Sequence, residues 1–340
     1  MRIRPLPILA SVLLLIALVV GLILWPPFGP EPVKPGEAPV IALIRVPTAA
    51  LAPVAETKID DHRPVSETIV GTHVSGTANV EGATSLKLLP SPKQGEAELE
   101  ILLSGTSVSN TAGQAGPAGR DVVEIKSHTV LEFEATKLVT LDATGFHPRP
   151  AEVEVQIRAS RTEPQAMAGG VRGKIVDRVA QRRIAATKSE ADQQTVENTR
   201  RRVARSFDEA ADAQLQKMND RPVFHELISA ATKSDTDAIR LSFDSDAGQL
   251  LIYVLVGDGR PGPGPKLTAP APDAAEVYVN YSRAARHLPT VIETLDRLRS
   301  AGGGDASSGA ESNAEVADVS VHPTTGWAVV KLDRLPLKKP

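Results

Sequence analysis

The 340-residue chain contains no cysteine. That excludes thiolate nucleophiles, zinc ribbons, iron–sulfur ligation, disulfide staples and lipoprotein processing, and leaves any chemistry to His, Asp, Glu, Ser, Thr, Tyr and Lys. Aromatic residues make up 3%, and none lies between positions 147 and 206, so base stacking has no support in the middle of the chain. Charge of one sign is lacking as well. The chain has 38 basic and 41 acidic side chains, a formal net charge of −3, and nothing global draws it to nucleic acid. Its 41% hydrophobic content is nonetheless that of a folded protein.

Catalytic signatures are also missing. No G-x-S-x-G elbow, S-x-x-K or P-loop occurs, so nucleophilic catalysis and phosphoryl transfer have no starting residue. His225-Glu226 opens like the zincin motif but lacks the second imidazole, and the histidines at 62, 73, 128, 147, 287 and 322 stand singly, without the spacing that sets two ligands on one face. His128 falls on the polar parity of its strand and reads as a solvated surface residue. Gly257-Asp258-Gly259-Arg260-Pro261-Gly262 follows an apolar strand, as a dinucleotide fingerprint would, but Pro263, Pro265, Pro270 and Pro272 forbid the helix whose amides would hold a pyrophosphate. Asp244-Ser245-Asp246-Ala247-Gly248 lacks the further acids of a calcium loop and reads as a hairpin turn. No enzyme, cofactor or metal is expected.

One long hydrophobic run is present. Leu6 to Trp25 is free of charge over 20 residues, enough for a helix to cross the roughly 30 Å hydrocarbon layer. Its exit, Leu24-Trp25-Pro26-Pro27-Phe28, offers no small-residue cleavage site, and Trp25 suits an interfacial anchor. Arg2 and Arg4 are the only preceding charges. The positive-inside rule therefore places residues 1–5 in the cytoplasm and exports the rest to the periplasmic or cell-envelope side. The exported part has 36 basic and 41 acidic groups, which argues against general adhesion to anionic lipid.

Nine prolines between 26 and 64 predict a spacer, with Val40 to Ile44 as an edge strand or a short helix. Period-2 alternation predicts antiparallel strands over 65–162. Val123, Ile125, Leu131, Phe133 and Ala135 share one face there, and Glu124, Lys126, His128, Glu132 and Glu134 the other. Gly71, Gly76, Gly82, Gly95, Gly105 and Gly113 read as turns or bulges. Residues 170–219 predict one very long basic amphipathic helix or, by bending over 187–195, a helical hairpin. Its apolar stripe runs through Val171, Ile175 and Val179 and resumes at Val196, Val203, Phe207, Ala211, Leu215 and Met218. A second hairpin and helix follow over 222–299, then a flexible linker over 300–315 and a hairpin over 316–334.

Between Val171 and Arg205 lie ten basic and four acidic residues. Arg172, Arg178, Arg182, Arg183, Arg200, Arg201, Arg202 and Arg205 form a candidate interaction strip for acidic polymers or lipid headgroups. The plainer reading is a solvated face whose charges answer the acid-rich strands Glu96 to Glu100 and Glu124 to Glu134.

The expected fold is α+β: an N-terminal transmembrane helix, an antiparallel β-rich ectodomain with one very long α-helix, and a smaller C-terminal β/α portion. The expected function is a membrane-anchored, extracytoplasmic, non-enzymatic scaffold or interaction protein. Its partners would be the bilayer through Leu6 to Trp25 and a protein of the cell envelope, with no nucleic acid. The alternative is a lipid or apolar-ligand binding module with a curved sheet over the long helix. Over roughly residues 65–281 that layout resembles the tubular lipid-binding architecture, without a shared motif and without residue roles to carry across.

Overall fold

The computed structural model describes residues 36–115, 123–167, 170–220, 239–267, 274–280, 316–322 and 327–333. The anchor expected over 6–25, the helix expected within 222–299 at residues 289–299 and the whole linker expected over 300–315 lie outside them. Among the described residues no helix is long and apolar enough to cross a membrane. These residues form mostly antiparallel sheet with one long helix.

The segment read as a spacer is partly structured. It holds β1 (Glu37–Ala38), β2 (Val40–Pro47), the short helix α1 (Thr48–Ala55) and the first half of β3 (Thr57–Ile69). Pro39, Pro47 and Pro64 fall between strands, at a strand end and in β3, an edge strand, where a missing N–H is tolerated.

β3 opens a meander with β4 (Thr72–Leu89), β5 (Ala97–Ala115) and β6 (Val123–Asp142). β7 (Gly145–Pro148) and β8 (Glu152–Ala166) both pair with β6. The alternation holds: Val123, Leu131, Phe133, Ala135, Val139 and Leu141 of β6 are buried on the inner face, while Lys126, His128 and Glu134 are exposed outside. Gly71 and Gly95 do lie in connections, with φ of 73° and 89°. Gly76, Gly82, Gly105 and Gly113, by contrast, lie inside strands, which are therefore longer than the glycine spacing predicts. Gly105 shows the reason. It faces Phe133 across the β5–β6 ladder, and a Cβ there would come 2.7 Å from the ring, so the aromatic side chain covers the gap that the glycine leaves.

The second sheet has the order β13 (Val316–His322), β14 (Trp327–Asp333), β12 (Ala274–Asn280), β2, β10 (Gln249–Val256) and β9 (Ile239–Ser245), antiparallel throughout. β2 is thus a central strand, not an edge strand, and all eight of its residues are buried, as a continuous apolar run with both faces covered requires. β11 (Arg260–Pro261) pairs in parallel with β1. The two large sheets meet where Ser245 Oγ donates to Leu89 O at 2.7 Å and accepts from Glu98 N at 3.0 Å. Ser245 N also donates to Ser91 Oγ at 2.6 Å.

α2 (Gly170–Asn219) is one uninterrupted helix of 50 residues, about 75 Å long at the standard rise. It matches the 15- to 20-residue strands of β5, β6 and β8, which span about 50 to 65 Å. The hairpin alternative is not adopted. The apolar stripe is only half correct. Val203, Phe207, Leu215 and Met218 are buried, whereas Ile175 and Val179 are each 61% exposed. The sheet twists along its length, so the helix face that meets it rotates as α2 advances, and the stripe read by fours at the N-terminal end points away.

Candidate ligand cavity between the long helix and the sheet

α2 lies asymmetrically over the inner face of the first sheet. Along β8 and β6 it packs closely, with Val203 and Phe207 joining Ile59, Val80, Leu103, Leu131, Phe133, Ala135 and Val155 in one apolar cluster. A buried cation fastens the helix near that cluster. Lys137 Nζ, on the inner parity of β6, contacts Asp208 Oδ1 at 2.5 Å and Asp212 Oδ1 at 3.0 Å and donates to Arg149 O at 2.8 Å.

Along β3 the closure is polar and sparse. Gln194 Oε1 accepts from Val70 N at 2.8 Å, and Glu67 Oε2 accepts from Asn198 Nδ2 at 3.2 Å and from Arg202 Nη2 at 3.1 Å. Beneath that seam is a cavity of about 30 Å³, room for one or two water molecules. Its floor is apolar, formed by Val65, Ala78, Val80, Leu131, Phe133 and Val203. Its rim is polar, formed by Arg63, Glu67, Ser107, Ser109, Thr195, Thr199 and Arg202.

The rim is short of negative charge. Two guanidinium groups, Arg63 and Arg202, border it with one carboxylate, Glu67, and that carboxylate already pairs with Arg202. Arg63 Nε is buried and has no hydrogen-bond partner. Burial and the neighbouring Arg202 charge push Arg63 below the ordinary guanidinium value, with Asp61 opposing them. A buried donor left unsatisfied in this way costs about 1 to 3 kcal/mol. An anionic group placed at Arg63 would relieve it.

On the opposite side of α2 an open, shallow cleft of about 730 Å³ runs between Ile157 of β8 and the helix residues Ala185 to Arg200. Its lining alternates Ile157, Ala185 and Val196 with Lys188, Asp192, Glu197 and Arg200. These charges are mutually paired, Lys188 with Asp192 at 3.1 Å and Arg200 with Glu197 at 3.2 Å. The cleft therefore has no unmet electrostatic demand.

Of the residues singled out in the sequence, Leu6, Trp25 and the side chain of Arg172 lie outside what is described. Arg178, Arg182, Arg183, Arg200, Arg201 and Arg205 are exposed, while Arg202 turns inward to Glu67. The candidate strip is therefore not uniform. Nor do its charges answer the acid-rich strands. Glu98, Glu100, Glu124 and Glu132 pair instead with Arg149, Lys87, Lys126 and Arg158, because strand alternation turns them to the face opposite the helix.

Among the described residues no group of three His, Asp or Glu side chains converges as a metal site. His128 is exposed and meets Asn110 at 2.8 Å. Asp246 Oδ1 accepts from Gly248 N and Gln249 N, and residues 246–248 form the turn between β9 and β10, with Asp244 and Ser245 still in β9.

Sequence reading missed Lys137, Asp208, Asp212, Arg63 and Glu67. A signal was present for three of them: Lys137 interrupts the inward series 131, 133, 135, 139, 141, and Arg63 and Glu67 share the parity of Ile59 and Val65.

No family model matches the chain, and no curated protein matches it. Among solved structures it is similar to one described as the crystal structure of lipopolysaccharide binding protein, at 14% sequence identity and a TM-score of 0.32. The likeness covers 71% of this chain and 57% of that one, so the chain spans little more than half that structure's length. A likeness of this strength assigns neither a ligand nor a residue role here.

Proposed function

We propose that this chain is a membrane-tethered, extracytoplasmic, non-enzymatic protein that binds an anionic amphiphile between α2 and the first sheet. The observation that carries the reading is the cavity under the α2–β3 seam, with its apolar floor and a rim where the buried Arg63 Nε has no hydrogen-bond partner. An apolar tail would lie along Val65, Val80, Leu131 and Phe133, and an acidic head would pair with Arg63 and Arg202. The uncharged run from Leu6 to Trp25 behind Arg2 and Arg4 supports tethering and export.

At about 30 Å³ the closed cavity holds no acyl chain, so entry requires α2 to lift from β3. Three polar contacts close that seam, each worth about 0.5 to 3 kcal/mol depending on charge. The β8 side keeps its apolar packing and serves as the hinge.

Native mass spectrometry of the full chain released from nanodiscs tests the reading. The probes are a monoacyl phosphate and the monoacylglycerol of equal chain length. Retention of the phosphate, with Arg63→Met lowering its preference over the neutral probe by about tenfold, is expected, a change of roughly 1.4 kcal/mol. If neither amphiphile is retained, ligand binding fails and the wider scaffold reading returns.

A further inference from the structure

The two ends of the elongated first sheet present different surfaces. At one end β5 starts at Ala97, beside the junction through Ser245 to the second sheet, which contains β2. At the other end β5 reaches Ala115, which pairs with Val123, and Val123 pairs with Ala166. The 19 residues of β5 separate these ends by about 60 Å. The start of α2 therefore lies far from the segment that emerges from residues 6–35.

That distal end carries the exposed large apolar side chains of the described residues. Met167 follows β8, and Ile175 and Val179 lie one turn apart on α2, all three 61% exposed. Arg178 and Arg182 follow Ile175 at i+3 and i+7 and share its helix face. Lys174, Arg178, Arg182 and Arg183 are exposed and have no ion-pair partner among the described residues. Farther along α2 the basic side chains Lys188, Arg200, Arg201 and Arg202 are paired, and the exposed Arg205 and Lys217 stand singly, away from any exposed large apolar side chain. The nearest acid on the helix, Asp177, instead accepts from Ala166 N at 2.6 Å. Unanswered positive charge and unburied apolar surface thus coincide at one tip, although the exported chain as a whole is acidic.

The geometry points to this tip as a docking surface for an anionic lipid bilayer, one distinct from the membrane that holds the N-terminal run. Ile175, Val179 and Met167 stand out singly from a basic face and form no groove, which suits shallow insertion among headgroups better than a shaped protein partner. Lys174, Arg178, Arg182 and Arg183 supply local attraction to anionic headgroups, strongest within a Debye length. If residues 6–25 hold one membrane, this tip, at the end of the first sheet away from β2, meets a second one, and the chain bridges the two. The bridging element rests on the proposed anchor; the docking surface does not.

Vesicle capture tests it. The full chain is reconstituted in phosphatidylcholine liposomes, and retention after alkaline carbonate extraction reports the anchor. Acceptor vesicles with or without phosphatidylglycerol are then added. Capture of the phosphatidylglycerol acceptors, lost at high salt, is expected. Ile175→Asp with Val179→Asp and, separately, Lys174→Glu with Arg178→Glu each reduce it by about tenfold or more. All four positions are exposed, and unchanged thermal unfolding of the variants verifies their folding. Equal capture of phosphatidylcholine acceptors, indifference to both variant pairs, or capture only after membrane proteins are added overturns the proposal. If carbonate strips the chain, the anchor reading fails, and flotation of the soluble chain with the same acceptors decides the tip: binding sustains it, and no binding overturns it.

Discussion

Lys137 Nζ lies 2.5 Å from Asp208 Oδ1, and this contact ties β6 to α2 through a lysine only 1% exposed. The same carboxylate oxygen accepts from Ala151 N at 3.0 Å, and Lys137 also holds Arg149 O. One buried charge therefore fixes helix, strand and the β7–β8 connection together. Removing the partner of a buried charge costs about 3 to 5 kcal/mol, and a half-exposed pair contributes under about 1 kcal/mol. Asp208 is 29% exposed and Asp212 49%. Asp208→Ala is thus expected to cost about 3 kcal/mol and Asp212→Ala less than about 1, read from urea midpoints at unchanged slope. Equal losses would mean that Lys137 shares its charge evenly between the two.

The uneven burial along α2 predicts uneven opening. Val203, Phe207, Leu215 and Met218 are sealed, while residues 174–190 expose most of their side chains. Backbone opening follows local apolar contact. Amide hydrogen exchange of the full chain should show residues 174–195 exchanging at least about tenfold faster than 203–218. Bound amphiphile should protect 194–203 most, because the seam contacts lie there. Uniform protection along the helix would remove the hinge from the binding scheme.

Much of this architecture was legible because periodicity reports burial. Val123 to Ala135 alternate cleanly, and the proline-free run after Gly170 gave the helix its full length. The failures have physical causes. Val40 to Ile44 reads as an edge strand or a short helix and is a central strand, since five apolar residues do not say whether one face or two are covered, and its partners β10 and β12 lie more than 200 residues away. Ile175 and Val179 keep helical spacing yet point outward, because the twist of the sheet, not the helix alone, decides which face is inner. The cavity at Arg63 was illegible for a related reason: its rim is assembled from β3, β5 and α2, and no local pattern joins residue 63 to residue 202.

The second sheet holds a buried network whose pH response can be worked out. Arg45 and Glu276 pair at 3.2 Å and are 4% and 2% exposed. Gln249 Oε1 accepts from Arg45 Nε at 2.5 Å, and Tyr278 donates its phenol proton to Glu276 Oε2 at 2.7 Å. Burial, then Glu276, push the Tyr278 phenol above its ordinary value, with Arg45 opposing. The folded state therefore holds that proton more tightly than the unfolded chain, whose phenol ionises near about pH 10. The stability this supplies is complete below that pH and falls as pH rises through the folded value. Tyr278→Phe should cost about 1.5 to 3 kcal/mol near neutrality. The gap from the parent should narrow above about pH 10, as read by urea unfolding across the alkaline range. A gap independent of pH would show that the phenol proton is not what the network uses.

Arg63 offers a sharper test, because a group kept for a ligand and a group kept for the fold respond oppositely to deletion. Its Nε is buried without a partner and its charge sits beside Arg202. Without ligand, Arg63→Met keeps the apolar stem, removes the orphan donor and the repulsion, and should raise stability by about 1 kcal/mol. Saturating monoacyl phosphate should reverse the order. A ligand a hundredfold above its dissociation constant adds about 2.7 kcal/mol to the parent, and the variant, with weaker affinity, gains less. Thermal unfolding curves of the two proteins, with and without the probe, should therefore cross. If the variant is less stable in both conditions, Arg63 serves the fold, and its missing partner is a cost that the helix–sheet packing already carries.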